Sequence, residues 1–194
     1  MFTRIFNKEP SNNNSKLALF EGLLKEYGGR VYSLACRLTG NKDLASDLTQ
    51  EAFLRVLENI ERYDTSKPFE NWVHVILRNL YFDWIKRYEN LHAVSLNGHK
   101  EGNNRELGET LPLLEADPLG QAINREKQAL VQKALKALPA EFRMPLLLCD
   151  TEDLSYEEIG RILNCPIGTV RSRIHRARKM LKEILAPSAG GVFS

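Results

Sequence analysis

Residues 154–178 read LSYEEIGRILNCPIGTVRSRIHRAR. Ser155 followed three positions later by Glu158 has the spacing of a capping box, so a helix is expected to begin there. Tyr156, Ile159, Gly160 and Leu163 then share one face and leave Glu157, Glu158 and Arg161 in water. Gly160 is small where a second helix would cross closely. Asn164 tolerates the left-handed conformation that a tight turn needs. Pro166 suits the first turn of a second helix, where its missing N–H costs nothing. From there Ile167, Val170, Ile174, Ala177 and Leu181 recur at helical spacing. The far side carries Ser172, His175, Arg176 and Lys179, flanked by Arg171 and Arg173. Between Asn164 and Glu183 there are six Lys or Arg residues and one acid. Capped helix, short turn and basic second helix make a helix-turn-helix. In that motif the second helix enters the DNA major groove with its N-terminal residues toward the base edges.

Composition narrows the classes. The 194 residues are 43% hydrophobic and 27% charged, enough for helical cores in a soluble chain. Net charge is only +2, so affinity for DNA has to come from a local patch. Acids gather just ahead of the basic helix, at Asp150, Glu152, Asp153, Glu157 and Glu158. Cys36, Cys149 and Cys165 form no CxxC pair, which suits a reducing cytosol and argues against a local zinc site. His74, His92, His99 and His175 are scattered, with no nucleophile–base or metal-ligand spacing, so neither an enzyme nor a cofactor is expected. No stretch approaches a membrane span and the start carries no secretory pattern; the expected location is cytoplasmic.

The periodicity along the chain predicts an all-α protein of two small helical domains joined by a flexible linker. Residues 1–15 are polar and expected to be loose. LALFEGLLKEYGGRVYSLACRLTG, residues 17–40, is helical in pattern, with Gly28 and Gly29 expected to bend or split it. Asp43 is the expected cap of DLASDLTQEAFLRVLENI, and YDTSKP at 63–68 ends that helix. An aromatic-rich helix is expected from Pro68 to about Leu91. The stretch after it is rich in turn residues and has no period, which gives a linker at 95–124. The domains then cover 16–94 and 125–186, with a tail at 187–194. Pro145 lies in an otherwise helical stretch and is expected to kink it.

FENWVHVILRNLYFDWIKRY, residues 69–88, holds six of the sixteen aromatics together with Arg78, Lys86 and Arg87. Val73, Ile76, Leu77 and Leu80 can face a core. Rings beside cations are the ingredients of a single-strand binding surface, where bases stack and cations track phosphates. Trp72, Phe82 and Trp84 are more simply read as core, and composition alone is not specific for a binding surface.

Three strings together, DLTQEAFLRVLENIERYD, PFENWVHVILRNLYFDWIKR and LPAEFRMPLLLCDTEDLSYEEIGRILNCPIGTVRSRIHRARKML, resemble a bacterial sigma factor. More narrowly the chain, from Leu17 to Leu185, is similar to the extracytoplasmic-function (ECF) group of the sigma-70 family, which keeps two of the family's domains. The resemblance implies no enzymatic activity but a subunit that directs RNA polymerase. Its first domain would grip the polymerase core and open promoter DNA at the −10 element; its second would read the −35 element as duplex. It assigns core contacts to Asp47, Gln50, Glu51 and Leu54. It assigns capture of an unpaired −10 base to Lys67, Phe69, Trp72 and Asn79. The −35 duplex would be met by Thr169, Arg171, Ser172, Arg173, His175 and Arg176. The implied partners are RNA polymerase core enzyme, promoter DNA and an anti-sigma factor, with no membrane insertion. Two positions depart from the family's habit: Gly160, where Ala is commoner, and Pro145.

A helix-turn-helix repressor or activator acting on duplex DNA would share the C-terminal motif. It would not need the aromatic helix or a polymerase-gripping block, and would usually bind palindromes as a dimer.

Overall fold

The computed structural model describes residues 10–94 and 118–188, and among these there is no strand. Seven α-helices follow in order: α1 Pro10–Thr39, α2 Lys42–Asn59, α3 Phe69–Val94, α4 Pro118–Ala137, α5 Ala140–Asp150, α6 Tyr156–Leu163 and α7 Ile167–Leu185. Short 3-10 turns extend α2 at Ile60–Arg62 and α7 at Ala186–Ser188.

Gly28 and Gly29 do not split the helix; α1 is one helix of 30 residues. Each glycine costs a helix about 1 kcal/mol relative to alanine. Val31, Leu34, Ala35 and Leu38 follow at once and are buried with α2 and α3. Burial of each large one contributes about 1.5–3 kcal/mol, so packing wins. The helix also starts at Pro10, inside the segment expected to be loose; residues 1–9 lie outside the described part.

Gly40 closes α1 at φ +60, and its N–H donates to Cys36 O at 2.8 Å. Asn41, not Asp43, caps α2: its side chain accepts from Leu44 N at 3.0 Å. Asp43 sits in the first turn, where a negative charge favours the helix dipole. The turn after α2 is built by Asp64, whose Oδ1 accepts from Ser66 N and Ser66 Oγ. On α3 the core takes Phe69, Val73, Leu77, Leu80 and Tyr81; Ile76 is only half-buried.

Helix α4 begins seven residues before the expected domain boundary at 125, so of the anticipated linker only 95–117 lies outside the described residues. Helix α5 runs unbroken through Pro145, which is itself buried between Met144 and Leu146. The missing N–H costs one bond of a short helix, and the row of buried side chains from Met144 to Leu148 holds the rest. The expected tail begins within the last 3-10 turn, and residues 189–194 lie outside the described part.

Helices α1–α3 form one half and α4–α7 the other. The halves pack together, α6 on α3 and α4 and α5 on α1, so the buried side chains of both form one contiguous core.

Candidate nucleic-acid interface

The helix-turn-helix forms as its residues require. Ser155 Oγ accepts from Glu158 N at 3.3 Å, and Glu158 Oε2 accepts from Ser155 N at 3.0 Å. Ser155 Oγ also donates to Glu158 Oε2 at 2.7 Å, and this bond, followed by the one from Ser155 N, holds the Glu158 carboxyl below its ordinary pKa. Asn164 ends α6 in the left-handed region at φ 51, ψ 52. A Cβ on Gly160 would stand 3.0 Å from Cys165 O and 3.8 Å from Val170 Cγ2, so the close crossing expected there is real. Pro166 is the N-cap of α7, one residue before its first turn.

Val170, Ile174 and Ala177 seat α7 in the core, with Leu181 half-buried. Ile167, expected on that inner face, is instead 39% exposed. It stands at the first turn, beside Cys165 and Pro166, in an open cleft that Gly160 and Arg161 of α6 also line.

The arginines of α7 divide into two kinds. Arg173 reaches Glu141 Oε2 at 3.4 Å and Arg178 reaches Asp150 Oδ1 at 2.6 Å. Glu141 and Asp150 thus neutralise these two cations. Arg171, Arg176 and Lys179 are exposed and meet no carboxylate among the described residues. His175 is exposed beside them. Ser172 Oγ donates to Thr169 O at 3.0 Å, and Thr169 is half-buried. Of the six residues expected at duplex DNA, Arg171, Ser172, His175 and Arg176 lie together on the open face. Thr169 and Arg173 lie at its edge.

The second candidate surface lies at the start of α3. Phe69 is 2% exposed, its ring packed among Tyr27, Phe53, Tyr63 and Trp72. It belongs to the core and supports its neighbours; a base has no access to it in this arrangement. Half-buried Trp72 stacks flat on Tyr63, with ring centroids 5.2 Å apart and planes 1° from parallel. Tyr63, the first residue of the turn expected at 63–68, is the partner in this stack; an aromatic beside a turn before an aromatic helix marks it in the sequence. Lys67 is exposed and pairs with Asp64 at 3.2 Å. Asn79 is exposed two turns beyond Trp72, and its Oδ1 accepts from Arg78 at 2.6 Å.

A third surface runs along α2. Asp47, Gln50, Glu51 and Leu54 are all exposed at helical spacing. Leu54, 52% exposed, is an apolar centre framed by acids. Arg55 turns back to Glu51 at 3.0 Å, as an i,i+4 pair.

Among the described residues there is no group of His, Cys, Asp and Glu side chains able to hold a metal ion. No described helix is long and apolar enough to cross a membrane.

Comparison with known proteins agrees with this geometry. Residues 23–90 match the family described as Sigma-70 region 2, and residues 128–181 match Sigma-70, region 4. The ECF RNA polymerase sigma factor SigE of Mycolicibacterium smegmatis is 39% identical over 192 residues, covering 92% of this chain and 70% of that protein. The ECF RNA polymerase sigma factor SigW of Bacillus subtilis is 33% identical over 170 residues, covering 86% and 88%. In fold, the chain is similar to the sigma factor RpoE of Bartonella quintana, in a co-crystal structure with the anti-sigma factor NepR. The TM-score is 0.69 at 24% identity, over 86% of this chain and 96% of that one. CnrH, in complex with the cytosolic domain of CnrY, gives 0.63 at 19% identity, over 88% and 90%. With a helix-turn-helix behind an aromatic helix, and both family regions matched in order, the chain belongs to the ECF sigma factors of the sigma-70 family, which recognise promoters and initiate transcription as non-enzymatic subunits of RNA polymerase.

Proposed function

We propose that the three surfaces divide the work of initiation among themselves. The exposed cations of α7 meet the −35 duplex: Arg171, Ser172, His175 and Arg176 face the base edges, while Lys179 lies along the phosphates. The observation that carries this is the sorting of charge on α7, where Arg173 and Arg178 are already paired and Arg171 and Arg176 are not. An unpaired guanidinium loses no internal partner when it binds guanine or phosphate.

The Tyr63–Trp72 stack offers an aromatic platform for an unpaired −10 base, and the Asn79 amide supplies a donor and an acceptor to identify it. Lys67 stands at the entrance as a phosphate contact, and Phe69 keeps the platform rigid. The stripe Asp47–Gln50–Glu51–Leu54 is the docking surface for polymerase core, with Leu54 as its apolar anchor. The protein works in the cytoplasm. An anti-sigma factor is a further partner, as the similar structures of RpoE with NepR and CnrH with CnrY's cytosolic domain suggest.

Run-off transcription tests the division. Added to purified core polymerase, the chain should start transcripts from a promoter bearing both elements. Leu54→Asp should abolish holoenzyme formation, and Arg171→Ala should spare it while removing dependence on the −35 sequence. Transcription indifferent to both changes would overturn the assignment. A chain that represses and cannot initiate would instead be a duplex-only regulator.

A further inference from the structure

Helix α5 packs on α7 and is only about 16 Å long, so both of its ends come within reach of the basic helix. Glu141 stands in its first turn and Asp150 is its last residue. Glu141 takes Arg173, and Asp150 takes Arg178. Those arginines are five residues apart, about 140° around the helix, so they border the buried stripe of Val170, Ile174 and Ala177 on opposite sides. Arg171 lies two turns before Arg178 on the same flank and meets no carboxylate among the described residues. One flank of α7 therefore carries two arginines, one free and one held.

The two acids differ in what they do for α5. Glu141, in the first turn, meets the positive end of the helix dipole and supports the helix there. Asp150 stands at the negative end, where a carboxylate is unfavourable. Its bond to Arg178 offsets that, but the two side chains are 43% and 53% exposed, and such a pair adds little to stability. The fold alone does not account for Asp150. What Asp150 does control is a cation: Arg178 Nη2 lies 2.6 Å from Asp150 Oδ1 and 3.8 Å from Cys149 Sγ, turned toward the end of α5.

Building on the functional reading of α7 above, we propose that Asp150 is a guard on specificity, which withholds Arg178 from DNA phosphate and so keeps sequence-independent binding weak. Phosphate contacts position a protein but carry no sequence information, and they supply essentially all of its affinity for arbitrary DNA. On arbitrary duplex no base contact fixes the register, so a loose arginine settles on a phosphate. One more such contact steepens the salt dependence by about 0.9 and is worth about fivefold in affinity at about 0.15 M salt. Asp150 removes that gain, and its own charge repels a strand laid along this flank. Specificity rises because the wrong partner is disfavoured. The base edges, met by Arg171, Ser172, His175 and Arg176, are left to decide where α7 settles.

Fluorescence anisotropy with the full chain tests the guard, on a random-sequence duplex and a −35 duplex over about 50–200 mM salt. Asp150→Asn should bind the random duplex about fivefold more tightly than wild type at about 0.15 M salt, with a slope steeper by about 0.9. Its gain on the −35 duplex should be no larger, and its helical circular dichroism unchanged. Arg178→Ala should leave the wild-type slope as it is and cancel the gain in the Asp150→Asn background. Asp150→Glu should behave as wild type. Asp153→Asn removes an equal charge three residues on, at an exposed position of φ 53 that Asn tolerates and with no arginine partner among the described residues. Its slope should match wild type. An Asp150→Asn slope equal to wild type overturns the proposal. So does a gain that persists without Arg178, that Asp153→Asn reproduces, or that is confined to the −35 duplex. A wild-type chain with no preference for the −35 duplex would strike the functional reading of α7, and the random-duplex slopes would still decide the guard.

Discussion

Arg143 of α5 lies 3.1 Å from the Tyr81 hydroxyl of α3, and the same guanidinium donates to the carbonyl oxygens of Leu38, Lys136 and Leu138. One side chain therefore ties the end of α1 to the end of α4 and both to α3. Burial pulls the Arg143 pKa down, and the nearby Tyr81 opposes that pull. Arg143→Met keeps much of the volume but leaves these acceptors half-buried without their donor. The expected cost is about 3 kcal/mol, or about 6–12 °C in Tm for a chain of this size, read by thermal denaturation. An unchanged Tm would mean that water replaces the guanidinium without loss.

On α7 the charge sorting predicts unequal losses. Arg176→Ala should weaken −35 duplex binding by about 1–3 kcal/mol if the side chain reads a base edge. If it meets only phosphate, the loss should be nearly independent of sequence and lower the salt slope by about one unit. Arg173→Ala should cost less than Arg176→Ala, because Arg173 is already engaged with Glu141. Fluorescence anisotropy across a salt series distinguishes these outcomes.

Asn79→Ala should leave the fold and −35 binding intact, since the side chain is exposed and its bond is to the adjacent Arg78. It should reduce transcription and relax base preference in the −10 element. Permanganate footprinting reads this directly, and wild-type melting with unaltered preference would remove Asn79 from the site.

His74 predicts a pH dependence. Burial, reinforced by the positive charge of Arg30, lowers its pKa from 6.5 to about 4. The contact with Glu152, at 3.8 Å, is too long to hold the proton against burial, so the folded imidazole is neutral. Because the folded pKa is the lower one, this contribution is complete above pH 6.5 and is lost as pH falls toward about 4. Glu152, raised by burial, acts in the opposite sense, and Arg30 and Glu70 complete the charged surroundings. The comparison is therefore with His74→Gln. Denaturant midpoints of wild type should fall faster than those of the variant across that window, and parallel curves would contradict the assignment.

Most of the local structure of the helix-turn-helix was legible in the sequence, although at α2 the cap is Asn41 and not Asp43. The capping box at Ser155 and Glu158, the left-handed Asn164, the tight crossing at Gly160 and the basic face of α7 each follow from residue chemistry within one or two turns. Such features depend on neighbours a few positions away, which periodicity and capping rules describe directly. The tertiary structure decided what depends on distant partners. Burial beyond the pair carried α1 through Gly28 and Gly29 against their helical cost. Ile162, outside the single apolar face read for α6, is buried because α6 packs against α3 as well as α7. Which arginines of α7 remain free of a carboxylate was settled by Glu141 and Asp150, 32 and 28 positions from the arginines they pair with. A charge at short range outweighs a charge close in sequence, and only folding sets that range.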